Sequence, residues 1–164
     1  MNAEKRILQE RENWRKERPF GYVAKPLPGK DGSLNLFAWE CSIPGPEDSP
    51  FQGHTLHLLV DFYQDYPASP PNVRFTSNVF HPNIYSDGFV CLDVLSSEWR
   101  PSMNIKSILL ALYDLISSPN TESPANNEAA TVYASNPSTY IRKAKQALEA
   151  GRKGNIPKKR RNGL

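Results

Sequence analysis

Two cysteines and three histidines are the side chains of this 164-residue chain best suited to nucleophilic or metal chemistry, and their spacing narrows the choice. Cys41 and Cys91 stand fifty positions apart, which gives no CxxC redox pair, no disulfide framework and no four-ligand zinc set. His54, His57 and His81 add no HxxxH or similar ligand spacing. Gly29-Lys30-Asp31-Gly32 lacks the strand-to-helix context of a phosphate loop. Cys41 alternates with Trp39 and Ile43 and reads as a small buried hydrophobe. Cys91 lies in Asp87-Gly88-Phe89-Val90-Cys91-Leu92-Asp93, with seven residues between it and His81-Pro82-Asn83. There it is either a core residue or a nucleophile. If it is a nucleophile, the spacing permits a hydrolase pairing with His81 as base. His57, in an alternating strand, and His81, between Phe80 and Pro82, read more readily as structural donors.

The segment holding Cys91 runs from Thr76 to Met103 without a sustained period, yet contains Phe80, Ile84, Tyr85, Phe89, Val90, Leu92, Val94, Leu95 and Trp99. Long irregular segments are functional or disordered, and this apolar content predicts one that packs down. Before it, residues 1–17 read as a charged helix with Ala3, Ile7, Leu8 and Trp14 on an apolar stripe, stopped by Pro19. Alternation through Leu34–Ile43, Leu56–Phe62 and Val73–Phe75, with turn-formers between, predicts an antiparallel meander. After it, Ile105, Ile108, Leu109, Leu112 and Ile116 restore a helical period, with Asn104 as cap and Pro119 as stop. Further helices are predicted near Asn126–Ser135 and from Asn136-Pro137 to about Ala150. The whole is an α+β domain.

The net charge of +3 hides an asymmetry. Residues 152–164 hold six basic and no acidic residues, so residues 1–151 carry a net −3. The expected organisation is one domain over 1–151 and a basic, disordered tail over 152–164, whose Lys158-Lys159-Arg160-Arg161 fits a nuclear-import signal, a weak nucleic-acid contact, a contact with an acidic partner or a solvated end. Charge confined to a tail argues against a dedicated nucleic-acid-binding domain. No apolar run approaches the roughly 18 residues of a membrane span, and the charged start is unlike a signal peptide. A reducing compartment, cytoplasm and nucleus, is the expectation.

His81-Pro82-Asn83, Cys91-Leu92 and Trp99-Arg100-Pro101, in this order and at these separations, resemble the signature of ubiquitin-conjugating enzymes. Tyr66-Pro67 with Pro70-Pro71, Pro119-Asn120, Ser123-Pro124-Ala125-Asn126 and Trp39 with Gly45-Pro46 extend the resemblance over about residues 3–150. It implies an N-terminal helix, a four-stranded antiparallel meander sheet, a long packed active-site loop and C-terminal helices. It implies that Cys91 accepts ubiquitin or a ubiquitin-like modifier as a thioester from an activating enzyme and passes it to a substrate lysine, usually with a ligase. No metal and no cofactor are implied. The residue types suit such chemistry. A cysteine of ordinary pKa ~8.5 is only a few per cent thiolate at neutral pH, but an activated thioester donor needs only a modest nucleophile.

By the same resemblance Asn83 stabilises the tetrahedral oxyanion, although bracing the loop is an alternative role. Tyr85, Asp87 and Ser123 match positions around the incoming amine, Ser123 standing where many relatives have aspartate. Lys5 and Arg6 would meet the activating enzyme, Arg11 and Arg15 the modifier, and Ala68, Pro101 and Ser102 the ligase. Ala68 replaces a phenylalanine common among relatives, so ligases that need this anchor should bind poorly. A non-catalytic modifier-binding module, as in cysteine-less relatives, is the competing class.

The modifier signals are mixed. Trp14-Arg15-Lys16 and Pro19-Phe20-Gly21-Tyr22-Val23-Ala24 are similar to the SUMO-conjugating type. Tyr85-Ser86-Asp87-Gly88, Cys91-Leu92-Asp93-Val94-Leu95 and Ser123-Pro124-Ala125-Asn126 are similar to ubiquitin enzymes of the DNA-repair type, and Ser96-Ser97-Glu98 lacks the short insertion of the SUMO type. Weighting the residues nearest Cys91 favours ubiquitin, with SUMO as the alternative.

Overall fold

The structure, a computed structural model, describes residues 2–152. The expected import signal Lys158–Arg161 therefore lies outside the described residues, as does the rest of the basic segment after Arg152. Helix α1 (Ala3–Glu17) starts at Asn2, whose side-chain oxygen accepts from the Lys5 backbone N–H at 2.9 Å. Its buried positions are Ala3, Ile7, Glu10 and Trp14, a regular stripe at helical spacing. Leu8 departs from the sequence reading. It is 41% exposed, because it points about 100° around the helix from Ile7.

Glu10 takes an inward place because every part of its carboxylate is satisfied. One oxygen accepts from Arg6 Nε at 2.9 Å and from the Tyr66 hydroxyl, and the other accepts from the Ile105 N–H at 2.7 Å. Arg6 also donates to the Met103 carbonyl at 2.8 Å and lies over the Tyr66 ring. This buried network ties α1 to the Tyr66 turn and to the start of the next helix.

Strands β1 (Val23–Pro28), β2 (Leu34–Pro44), β3 (Thr55–Asp61) and β4 (Asn72–Phe75) form one antiparallel sheet in chain order. Alternation did not reveal β1, because Pro26 and Pro28 interrupt it. They are tolerated on an edge strand, where a missing N–H breaks no central ladder. Register lines Ala24–Cys41–Leu58–Phe75 and Pro26–Trp39–Val60–Val73 run across all four strands on the inner face. All eight residues are buried, and α1 and α2 pack over this face through β2.

Helix α2 (Ile105–Ser117) opens with a reciprocal cap between Asn104 and Ser107 and buries Ile105, Ile108, Leu109, Leu112 and Ile116, the predicted set. Asn126 caps α3 (Asn127–Ser135). Asn136 both closes α3 and caps α4 (Pro137–Ala150), with Pro137 at the first helical position. The Tyr140 ring packs edge-on against Tyr133 at 5.1 Å and lies 6.0 Å from Phe80, fastening the last helices to the long loop. No helix among the described residues is long and apolar enough to cross a membrane.

Candidate active site

The predicted packed loop is present: between β4 and α2 the chain forms no α-helix or extended strand, only a 3-10 turn at Asp93–Leu95. Its order comes from a small hairpin laid along the edge of β4. Ile84 bridges to Val90, and Phe89 to Arg74 of β4. Tyr85 N–H donates to Phe89 O at 2.8 Å and Gly88 N–H to Tyr85 O at 2.9 Å, closing a turn over 85–88. Gly88 is required there: its φ is +97°, and a Cβ would collide with the Phe75 carbonyl oxygen. Tyr85, Ser86 and Asp87 form the tip, Tyr85 exposed and Asp87 half-buried. Asp87 accepts from Phe89 N–H at 3.3 Å. The Cys91 N–H then donates to Asn83 O at 2.9 Å, which sets the cysteine against His81-Pro82-Asn83.

His81 is buried, with both ring nitrogens engaged. Nδ1 accepts from the Asn83 N–H at 3.0 Å, so Nε2 carries the proton and donates to Leu115 O at 3.0 Å. Burial pushes its pKa down to about 4, against the opposing pull of the Leu115 and Ile116 carbonyls. A neutral imidazole committed to the backbone on both sides is no base for Cys91, which removes the hydrolase pairing.

Asn83 is 2% exposed and makes a reciprocal pair with one distant residue. Its Nδ2 donates to Asn120 O at 2.7 Å, and its Oδ1 accepts from Asn120 N–H at 2.8 Å. Beside it, Pro82 O accepts from Ala125 N–H at 2.7 Å and Asn126 N–H at 3.0 Å. These bonds hang the 120–126 segment, with exposed Ser123, from the residues that also hold Cys91. Nδ2 keeps a second N–H beyond the one given to Asn120. The bracing role weighed for Asn83 is thus built into the structure.

Of the two thiols, Cys91 is half-buried and reaches solvent while Cys41 is buried. Burial, reinforced by the charge of Glu40, pushes the Cys41 thiol far up, which leaves it inert. Among the described residues no group of histidine, cysteine and carboxylate side chains could hold a metal ion.

The other predicted residues fall on two surfaces. Lys5 is exposed near the start of α1, whereas Arg6 is half-buried in the Glu10 network. Trp99 Nε1 donates to Pro67 O at 2.8 Å, placing the exposed Ala68 turn beside Arg100, Pro101 and Ser102. Since Arg6 reaches Met103 O, Lys5, Ala68, Pro101 and Ser102 gather at one end of the molecule. Arg11 and Arg15 lie elsewhere, lining with Arg18 and Lys25 a shallow basic groove of about 370 Å³ between α1 and β1, to which Trp14 and Leu34 add apolar surface. Reasoning from the sequence missed Arg74 and Arg152, both near Asp87. Arg74 sits in a strand and Arg152 looked like tail; neither carried a signal.

Comparison with known proteins agrees with this geometry. The family model described as "Ubiquitin-conjugating enzyme" matches residues 6–148. The SUMO-conjugating enzyme UBC9 of Caenorhabditis elegans is 43% identical over 143 residues, 86% of either chain. The Sumo-conjugating enzyme ubc9 of Dictyostelium discoideum is 42% identical over 142 residues, 85% of this chain and 89% of its own. The ubiquitin-conjugating enzyme E2 2 of Candida glabrata is 38% identical over 154 residues, 94% of this chain and 89% of its own. A sheet covered by helices, a clamped irregular loop presenting one reachable thiol, and likeness along nearly the whole chain lead to one conclusion: the protein belongs to the ubiquitin-conjugating enzyme family, transferases of the ubiquitin-like conjugation system.

Proposed function

We propose that Cys91 carries the modifier. Its thiolate attacks the thioester carbonyl on the activating enzyme, whose own thiol leaves. A substrate lysine amine then attacks the Cys91 thioester, an isopeptide bond forms, the Cys91 thiolate leaves and the amine proton passes to solvent. The carrying observation is that Cys91 is the solvent-reaching thiol of the two, at the end of a hairpin clamped to Asn83. Asn83 fixes the 120–126 segment beside the thioester and offers its second N–H to the oxyanion, a contribution of about 2.7–4 kcal/mol where such donors act. Asp87, Tyr85 and Ser123 receive the lysine, whose ordinary pKa of ~10.4 must be overcome by desolvation or orientation. Lys5 meets the activating enzyme while Arg6 holds the helix that presents it. Ala68, Pro101 and Ser102 meet the ligase on the same end of the molecule, so the two partners alternate. The residues after Arg152 act as a basic extension whose Lys158–Arg161 directs the protein to the nucleus.

For the modifier, the groove of Arg11, Arg15, Arg18 and Lys25 supports a SUMO-type protein held by an acidic face, in line with the SUMO-conjugating relatives. Ubiquitin is the second reading, favoured by the residues near Cys91 and by the short Ser96-Ser97-Glu98 link. One experiment tests both. The protein is incubated with ATP, each activating enzyme in turn and its labelled modifier, and run without reductant. A thiol-cleavable adduct that disappears in Cys91→Ala supports the carrier role and names the modifier; an adduct with neither overturns it.

A further inference from the structure

Beyond the expected site residues, one side chain from the far end of the chain reaches the turn that carries Asp87. Gly151, with φ +70°, ends α4, and its carbonyl accepts from Asn78 Nδ2 at 3.4 Å. Arg152 then lays its guanidinium across the loop. Nη1 donates to Ser86 O at the tip of the turn at 2.5 Å, and Nη2 donates to Ser77 O at 3.2 Å. Ser77 is anchored, its own N–H donating to His57 O of β3 at 3.2 Å. The guanidinium therefore spans a fixed point on the sheet and the turn's outer end.

Gly88 makes room for it: a Cβ there would come within 3.0 Å of Arg152 Nη2. Arg74, over the Phe89 ring, approaches from the sheet side. The two arginines repel each other across a partly desolvated space, and Asp87 attracts both. Asp61 also faces Arg74. A planar fork with several donors suits this bridging, which a point charge cannot reproduce in full.

We propose that Arg152 is a positioning residue for amine transfer, fixing the 85–88 turn so that Asp87 meets the incoming lysine. The proposal rests on the role given to Asp87 under the proposed function. It places the first residue of the basic segment in the working enzyme, and predicts that losing it impairs the second half-reaction and spares the first.

The test uses the full chain and four variants: Arg152→Gln, Arg152→Lys, Asp87→Asn and the Arg152→Gln/Asp87→Asn double variant. Each is charged, the charging is quenched, and discharge is followed to free lysine and, separately, to hydroxylamine, which needs no help in losing a proton. For Arg152→Gln we expect charging and hydroxylamine discharge at the parent rate and lysine discharge slowed about tenfold, the scale of a lost charge-assisted contact. Arg152→Lys should recover part of that loss. The double variant should be no slower than Asp87→Asn alone, because both changes remove one function. Equal slowing with both nucleophiles, or full additivity, would overturn the proposal in favour of a general structural role. Parent-like lysine discharge in Arg152→Gln beside a slow Asp87→Asn would overturn it while leaving the Asp87 reading standing. Parent-like discharge in Asp87→Asn would sink the Asp87 reading itself.

Discussion

Asn83→Ala separates the bracing role seen in the structure from the oxyanion role proposed for the same side chain. The substitution removes both hydrogen bonds to the Asn120 backbone, at 2.7 and 2.8 Å. Each is worth about 1 kcal/mol net. Asn120 itself is exposed, so water replaces part of what its backbone groups lose. The bracing loss is therefore about 2 kcal/mol at most, which for a chain of this size lowers the melting temperature by roughly 4–8 °C. Loss of an oxyanion donor instead slows the acyl-transfer step by about 100- to 1000-fold. Scanning calorimetry reads the first quantity. Single-turnover discharge of the charged protein to lysine, well below the melting temperature, reads the second, with the charging rate as control. The expected result is a lowered melting temperature, near-parent charging and strongly slowed discharge. Charging that falls in step with discharge would refute the oxyanion role, and a melting temperature unchanged within a degree would refute the brace.

Three further outcomes follow from buried groups. His81 has a folded pKa of about 4 against the ordinary 6.5, so between those values the unfolded chain binds more protons. Its contribution is intact above pH 6.5 and is lost progressively on acidification toward pH 4, up to roughly 3 kcal/mol. Denaturant melts of the parent and His81→Gln over that window should show a shallower pH slope in the variant; equal slopes would contradict the neutral buried imidazole. Glu10→Ala leaves Arg6, the Tyr66 hydroxyl and the Ile105 N–H without their common acceptor. It should destabilise the fold by about 3–5 kcal/mol, read by the same melts. Cys41→Ala should charge at the parent rate with the label still on Cys91, which peptide mapping of the adduct checks.

How much of this was legible in the sequence depended on whether the signal was a side-chain pattern or a backbone partner. Helix α2 was legible because its apolar period and its Asn104 cap are both written in residue types, and the Asn136-Pro137 start of α4 likewise. Strand β1 was not, because two prolines masked the alternation that an edge strand does not need. Neither the exposure of Leu8 nor the burial of Glu10 was legible: Leu8 lies about 100° around the helix from Ile7, and the Glu10 carboxylate is held inside by donors from Arg6, Tyr66 and Ile105 that lie far away in sequence or carry no pattern. The loop's packing was legible from its aromatic and aliphatic content, but its hairpin was not, since only Gly88 advertises it. The partners of His81 and Asn83 are carbonyls and N–H groups of Leu115 and Asn120, which any residue would supply. No spacing rule finds them.

The same distinction explains how His81-Pro82-Asn83 and Cys91 should be understood together. By type, a histidine near a cysteine suggests a hydrolase. By geometry, His81 fixes the Asn83 N–H, Asn83 fixes Asn120, and the Asn83 carbonyl fixes the Cys91 N–H. The motif is a frame in which each member commits polar groups to backbone, with one N–H of Asn83 left over. That suits a carrier, because a thioester must outlast its journey and an imidazole free to activate water would shorten it. Keeping the histidine buried and neutral leaves selection of the nucleophile to the rim, where Tyr85, Asp87 and Ser123 are proposed to meet an amine.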